Sequence, residues 1–333
     1  GLSVKPKTDI KEIYKYLDYI DLVLIMSVEP GASGQSFIEE TIYKIKDLKV
    51  TYVSNGGSKC INFTVKTGDK YGRLCNPTRS YYNFDSWNLN NTLTQKVTSD
   101  DIVDRDTDFN LYAKWNPYTY DVKYNGNGST GGSTATSTHY YDIAKTLTSN
   151  GFTKTGYLFN KWNTKTDGSG SSYTDKQSVK NLTLIDHDTY NLYALWTPIT
   201  YSIAYGGNGN TGGSTATTTG CKYDANCTLR SNGFSKTGYL FNSWNSNTSG
   251  TGTSYSNGGT AKNLTSTNNG TATLYAKWTP ITYSIKYNAN DGSGSMSNTS
   301  CTYDQNCSLR GNTFSRSGYT FLGWNTASNG TGT

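Results

Sequence analysis

The sequence predicts a mostly β chain of the α+β class, in which tandem strand-rich modules follow a short β-α-β-α segment. Three observations predict it. Gly (35) and Tyr (28) are abundant and charged residues make up only 16%, a composition that favours strands and turns over helices. A pentapeptide ending in Trp recurs at Leu111–Trp115, Leu192–Trp196 and Leu274–Trp278, a near-constant interval of the kind that marks repeats. Residues 1–49 have a different composition from the rest. They hold seven Lys/Arg, eight Asp/Glu and no Cys, against 23 Lys/Arg, 16 Asp/Glu and all six Cys in the remainder.

Composition also excludes classes. Hydrophobic residues reach 34%, against a usual ~45–50% that includes Gly. The 14% aromatics can nevertheless build cores, which argues against a disordered chain. No apolar run reaches ~18 residues, so no membrane-spanning helix is expected. With His139 and His187 the only histidines, a multi-histidine metal site is not expected. The net charge is +6, but the basic residues are scattered, so nucleic acid is not an expected partner. The chain opens at Gly1 without a basic-then-apolar leader, and Thr333 falls inside a pattern that earlier copies carry further. It reads as a fragment or a processed piece.

In residues 1–49, Gly1–Val4 reads as a strand. Asp9 is placed to cap a helix with Ile10, Ile13, Tyr14 and Leu17 on its inner face. Leu22–Met26 is continuously apolar, as a buried parallel strand should be. Glu29–Gln35 is a glycine-bearing loop. Ile38–Leu48 carries a second helical period through Ile42, Ile45 and Leu48. The order is that of an α/β sheet or barrel.

The residues Gly1–Thr8, Tyr16–Phe37 and the following Ile38–Lys49, with the motif Met26-Ser-Val-Glu-Pro-Gly31 among them, resemble ribulose-phosphate 3-epimerase. The resemblance implies about two units of a (β/α)8 barrel. That family epimerises a ketopentose phosphate with a divalent metal and two aspartates. By resemblance, Gly31, Ala32, Ser33 and Gly34 form the loop whose backbone contacts the substrate phosphate, and Met26 lines the active site. Ala32 and Ser33 depart from the family's aromatic and second glycine. The family's metal-binding histidines and acid/base aspartates lie elsewhere in its barrel, and their motifs are absent from this sequence. Two units cannot close a barrel, so no catalytic residue, no metal ligand and no cofactor are assigned. A divalent metal would be expected only for a complete barrel. The bland reading of residues 31–34 is an exposed turn, and it is favoured.

From residue 50 each module opens with an alternating strand: Val50–Val53, Tyr120–Tyr124, Tyr201–Tyr205 and Tyr283–Tyr287. An Asn/Gly turn follows, and a second element recurs as Tyr81–Trp87, Gly156–Trp162, Gly238–Trp244 and Gly318–Trp324. Pro117, Pro198 and Pro280 mark natural boundaries. The expected domains are 1–49, 50–116, 117–197, 198–279 and an incomplete 280–333. In each Leu-Tyr-Ala-x-Trp strand, Leu, Ala and Trp share one face. The aromatics read as core, with a sugar- or peptide-stacking platform as the alternative.

The opening strand, the Asn-Gly-Gly turn, Tyr71–Leu74, Pro77–Arg79 and the Leu-Tyr-Ala-Lys-Trp strand are similar to the Listeria–Bacteroides (internalin B-type) repeat. This resemblance implies β-grasp modules, each a small mixed sheet with one short helix. It further implies a wall-attached or secreted bacterial protein used for adhesion, as a stalk or as an interaction module, without catalysis. The partners expected are a cell-wall polymer, a glycan, or a host or neighbouring surface protein. The location implied is extracellular or cell-surface for the repeats and cytoplasmic for the parent of residues 1–49.

Cys221/Cys227 and Cys301/Cys307 occupy equivalent positions, and the second module replaces both members with His139 and Lys145. Joint replacement points to disulfides rather than metal ligands, with buried thiols as the alternative. Cys60 and Cys75 form a third candidate pair. Disulfides imply an oxidising compartment, at odds with a cytosolic epimerase. The junction near residues 49–51 reads as a natural fusion or an assembly error. The acidic run Asp100, Asp101, Asp104, Asp106, Asp108 suggests either solvated turns, which is favoured, or calcium. The function expected is a non-catalytic surface repeat protein. The alternative is an isomerase identified by its first 49 residues.

Overall fold

The structure is a computed structural model and describes residues 1–19, 22–28, 31, 35, 38 and 47–333. Packing groups the chain into two units: residues 1–125 with 134–150 and 162–193, and residues 126–133 with 151–161 and 194–333.

At the N-terminus β1 (Leu2–Val4) pairs in parallel with β2 (Val23–Ile25). Between them Ile10–Tyr19 is a 3-10 helix rather than the expected α-helix. Asp9 caps it, its carboxylate accepting the Lys11 N–H at 2.9 Å. Ile13 is buried as expected. β2 is less buried than a barrel strand should be, and Leu24 is 58% exposed. Among the described residues β1 is its sole strand neighbour, so it lacks a second strand to cover it. The expected second helix falls largely on residues outside those described, but Leu48 corrects its end. Leu48 lies in β3 (Asp47–Val53), fully buried in the first module's core. The alternation Leu48, Val50 inward and Asp47, Lys49 outward has period two, which is a strand's period and not a helix's.

The first module is a five-stranded mixed sheet. Its strands are β3, β4 (Phe63–Lys66), β5 (Tyr82–Asn88), β6 (Lys96–Val97) and β7 (Phe109–Pro117), in spatial order β4-β3-β7-β5-β6. β3 and β7 are parallel, with Tyr52 opposite Leu111, and the flanking pairs are antiparallel. The corresponding sheet of the second module has the order Ser137–Tyr140, Thr119–Asn125, Asp188–Pro198, Tyr157–Asn163, Ser172–Tyr173. In the third module the order is Thr218–Lys222, Thr200–Gly206, Thr271–Pro280, Tyr239–Asn245, Ser254–Tyr255. In residues 280–333, Thr282–Ile285 pairs with Thr299–Thr302. Residues 47–333 hold strands and turns and no helix. Connecting segments such as Arg230–Thr237 are rich in Asn, Gly, Ser and Thr, which are poor helix formers, and the short helix expected by resemblance does not form there.

The closing strands form the cores. Leu111 and Ala113 are fully buried, as are Leu192 and Ala194, while the intervening Tyr and Lys are partly exposed. The aromatic element depends on a bulge. In a regular strand, residues three apart face opposite sides. An irregularity between Phe84 and Ser86, repeated between Phe241 and Ser243, adds one residue. Phe84 thereby meets Trp87 at 5.5 Å, and Phe241 meets Trp244 at 5.0 Å. Trp87, Trp162 and Trp244 are at most 2% exposed. They are core residues, and an aromatic ligand platform is not built from them.

The sulfurs are bonded in three pairs: Cys60–Cys75, Cys221–Cys227 and Cys301–Cys307. The last two tie an edge strand to the chain just beyond its turn. Replacing Cys221 and Cys227 together by Ala is expected to destabilise the third module by about 2 kcal/mol, the loop-entropy value for so short a loop. Denaturant unfolding followed by hydrogen exchange in residues 198–279 measures it.

Where these modules have a cystine, the second has His139. It is fully buried, lies flat against Tyr120 at 5.4 Å and bonds the Ser137 hydroxyl through Nε2 at 2.9 Å. Its Nδ1 is buried with no hydrogen-bond partner. Burial, reinforced by Lys145 and opposed by Asp121, pushes its pKa below the usual value. The unfolded chain therefore binds the proton more readily than the folded one. The stability is fully present above pH ~6.5 and falls as pH drops below it, until the folded group also titrates. Acid titration of the second module's unfolding should show this loss in the native protein and lack it in His139→Phe.

Candidate functional site

The N-terminal segment brings few of the expected site residues together. Met26 follows β2, half-buried, and its N–H bonds the Val4 carbonyl at 2.9 Å. Gly31 has φ +105° with open space where a Cβ would stand. Ala32, Ser33 and Gly34 lie outside the described residues, so the phosphate-loop expectation rests on sequence alone. Among the described residues no group of three or more His, Cys, Asp and Glu is placed to hold a metal ion. The acidic run is spread over separate partners. Asp100 meets Lys70 at 3.3 Å, Asp101 accepts the Thr98 N–H at 2.7 Å, and Asp108 accepts the Lys49 N–H at 2.9 Å.

The first module carries an open depression of about 650 Å³, lined in part by Lys70, Arg73, Phe84, Asp85, Trp87 and Lys96. Lys70 is paired with Asp100, and Asp85 with Lys114 at 3.6 Å. The Trp87 indole N–H is taken by the Cys75 carbonyl at 2.7 Å. Its aromatic wall thus belongs to the core.

A different feature recurs, and sequence reading missed it. Each successive pair of modules meets at the same turn. Between the second and third, the Ile199 N–H bonds the Gly156 carbonyl at 3.0 Å, and the Tyr223 N–H bonds the Ile199 carbonyl at 3.1 Å. The Tyr157 hydroxyl donates to the Asp224 carboxylate at 2.8 Å. Between the third and fourth, Ile281 bonds Gly238 at 2.9 Å, Tyr303 bonds Ile281 at 2.9 Å, and the Tyr239 hydroxyl donates to Asp304 at 2.9 Å. Between the first and second, Tyr118 bonds Tyr81, Tyr141 bonds Tyr118, and Tyr82 faces Asp142 at 3.5 Å.

Local chemistry explains each part. A basic residue three positions before each receiving tyrosine lies over its ring: Arg79 at 3.8 Å, Lys154 at 4.5 Å and Lys236 at 4.3 Å, cation–π contacts that fix the ring. The incoming aspartates Asp142, Asp224 and Asp304 all have φ +60°, a left-handed turn that Asp tolerates. Asn263 holds Asp224 from both sides, accepting its N–H at 2.6 Å and donating to its carboxylate at 2.7 Å. Asn181 does the same for Asp142. The Asn263 bond, followed by that from Tyr157, lowers the pKa of Asp224, and the bonded carboxylates raise those of Tyr157 and Tyr239. In the last two joints Gly156 and Gly238 leave room for the incoming ring, whereas the first joint holds Tyr81 at this place, at φ +66°. A Cβ on either glycine would stand 2.3 Å from the ring of Tyr223 or Tyr303. The signal legible in sequence was the Tyr-Asp pair inside each Cys-x-Tyr-Asp-x-x-Cys loop.

Repeated mixed sheets joined at one recurring turn define a tandem β-repeat protein. The chain belongs to the Listeria-Bacteroides repeat domain family, which matches residues 49–114, 120–185, 201–277 and 283–333. Residues 1–68 match the ribulose-phosphate 3 epimerase family, overlapping the start of the first repeat. A protein named as a membrane protein of Evansella cellulosilytica is 26% identical over 298 residues, covering 87% of this chain and 41% of that protein. A Gly-rich membrane protein of the same organism is 33% identical over 141 residues, covering 42% of this chain and 16% of that protein. The chloroplastic ribulose-5-phosphate-3-epimerase of Arabidopsis thaliana is 48% identical over 56 residues, covering 17% of this chain and 20% of the enzyme. The chain thus spans less than half the length of each of these relatives.

Proposed function

We propose that the chain is a non-catalytic repeat protein of the cell surface or exterior, whose modules serve as a stalk and adhesion array. The carrying observation is the recurring joint, which fixes each module against the next through main-chain bonds and a Tyr–Asp pair. Such a joint suits a protein that positions binding surfaces away from its anchor. Three disulfides favour an oxidising compartment, and the relatives named as membrane proteins favour attachment to an envelope. The parallel central pair with antiparallel flanks supports a β-grasp-like module, and the boundaries proposed remain Pro117, Pro198 and Pro280. The partners proposed are a wall polymer, a glycan or a neighbouring surface protein. Protease shaving of intact producing cells should release peptides from residues 50–333. Release only after lysis would contradict the reading.

A second reading has the epimerase match at residues 1–68 in its favour. It makes the protein an isomerase of pentose phosphates. The missing acid/base and metal-ligand motifs favour the first reading.

A further inference from the structure

We propose that each of the first three modules is a shear clamp, so that the array bears tension along the chain as well as spacing what it carries. The inference deepens the stalk reading, and its test does not depend on where the protein resides.

The chain enters and leaves each of these modules on the two strands at the centre of the sheet, and those strands are parallel neighbours. Val50–Val53 lies against Phe109–Tyr112, Tyr120–Asn125 against Asp188–Tyr193, and Ser202–Gly206 against Thr271–Tyr275. Tension on the chain pulls the opening strand toward its N-terminal end and the closing strand toward its C-terminal end. For parallel neighbours these two directions are opposed along one axis, so the strands must slide past each other. The evenly spaced bonds of a parallel ladder then share the load and fail together. An antiparallel pair loaded from its two free ends opens one bond at a time. Resistance to force is set by the rate of unfolding, and a ladder that must break as a unit slows that step.

The surroundings of the ladder suit this role. Each central strand has another strand on its far side. Val50, Leu111, Val122, Leu192, Ile203 and Leu274 are at most 1% exposed, and burial strengthens the bonds beside them. There is also no slack between clamps. Tyr118, Ile199 and Ile281 are the single residues between a closing strand and the next opening strand. Load leaving one ladder therefore enters the next directly. The cystines stand off this path. Cys60–Cys75 and Cys221–Cys227 each fall, in chain order, between the two strands of their module's clamp. Neither crosses the parallel pair, so tension reaches the ladder before the sulfurs. A cystine shortens only the chain released once the ladder has failed.

Single-molecule pulling in two geometries tests this. One handle is fixed at residue 1 and the other at an added thiol, either Lys286→Cys or Ser266→Cys. Both positions are exposed, and no native cysteine is free to compete. Both geometries leave residues 287–333 unloaded. A handle at 286 loads all three ladders in shear. A handle at 266 loads the first two as before, but the third is now pulled from one end, where Ser202 meets Thr271, and peels. The steps are assigned by reduction. Opening Cys60–Cys75, separation 15, should lengthen the first module's step by about 50 Å, and opening Cys221–Cys227, separation 6, the third's by about 20 Å, at ~3.5 Å per residue. The second module's step should not change. With the handle at 266 the third module should yield at several-fold lower force than with the handle at 286, while the first two keep theirs. Equal unfolding midpoints of the two variants in denaturant separate a peeled module from an unfolded one. Equal force for the third module in both geometries would overturn the proposal.

Discussion

Trp244→Ala is expected to destabilise the third module by about 3–5 kcal/mol, the range for truncating a buried large aromatic. The indole is fully buried and meets Tyr205 at 4.6 Å, Phe241 at 5.0 Å and Phe234 at 6.2 Å. Its N–H bonds the Arg230 carbonyl at 3.0 Å, so truncation also removes a half-buried hydrogen bond. Neighbours on the sheet cannot collapse into the space, because Leu274 and Ala276 are held by the central ladder. Against ~5–15 kcal/mol for a whole domain, the loss is large. Trp324 keeps the equivalent bond, to Arg310 at 3.1 Å, but its ring partner Phe321 is 47% exposed. Trp324→Ala should therefore cost clearly less. Hydrogen exchange under increasing denaturant, read separately for residues 198–279 and 280–333, gives both values.

Gly238→Ala is expected to open the joint between the third and fourth modules. Two effects add there. A non-glycine residue at φ +77° costs roughly 1–2 kcal/mol in backbone strain. The new methyl also stands 2.3 Å from the Tyr303 ring, inside contact distance, so the ring must shift, which is expected to weaken the Tyr239–Asp304 bond. Gly318→Ala carries the strain without the clash, since nothing lies within 4 Å. The difference between the variants isolates the joint. Loss of amide protection at Ile281 and Tyr303 in the first, with both retained in the second, is the expected result.

Much of this architecture was legible. The Trp115, Trp196 and Trp278 spacing located three closing strands, since each Trp is tied to a pentapeptide whose Leu and Ala are fully buried. Joint replacement of Cys221 and Cys227 by His139 and Lys145 pointed to the cystines, because a bridge loses its purpose when either half goes. Other features were hidden for physical reasons. Leu48 read as the end of a helix because Ile42, Ile45 and Leu48 happen to have helical spacing, while the edge contact that fixes its strand, Leu48 opposite Val65, is seventeen residues away. The bulge that brings Phe84 onto Trp87 leaves no mark in a single sequence. The joints were missed for a related reason, although the Tyr-Asp pair of each cystine loop was in view. Tyr157 and Asp224 lie 67 residues apart, and neither is unusual where it stands. The helix implied by resemblance is absent from residues 47–333, where Asn- and Gly-rich segments leave the backbone to short ladders and turns.

The claim that the chain acts by holding and binding, without turnover, is tested most directly by ribulose 5-phosphate. The purified 333-residue protein, with its disulfides intact and with divalent metal added or withheld, should produce no more xylulose 5-phosphate than a blank without protein. Epimerisation above that blank, reduced by Met26→Ala at the position that resembles the enzyme's active-site wall, would contradict the account and make the first 49 residues the working part of the molecule.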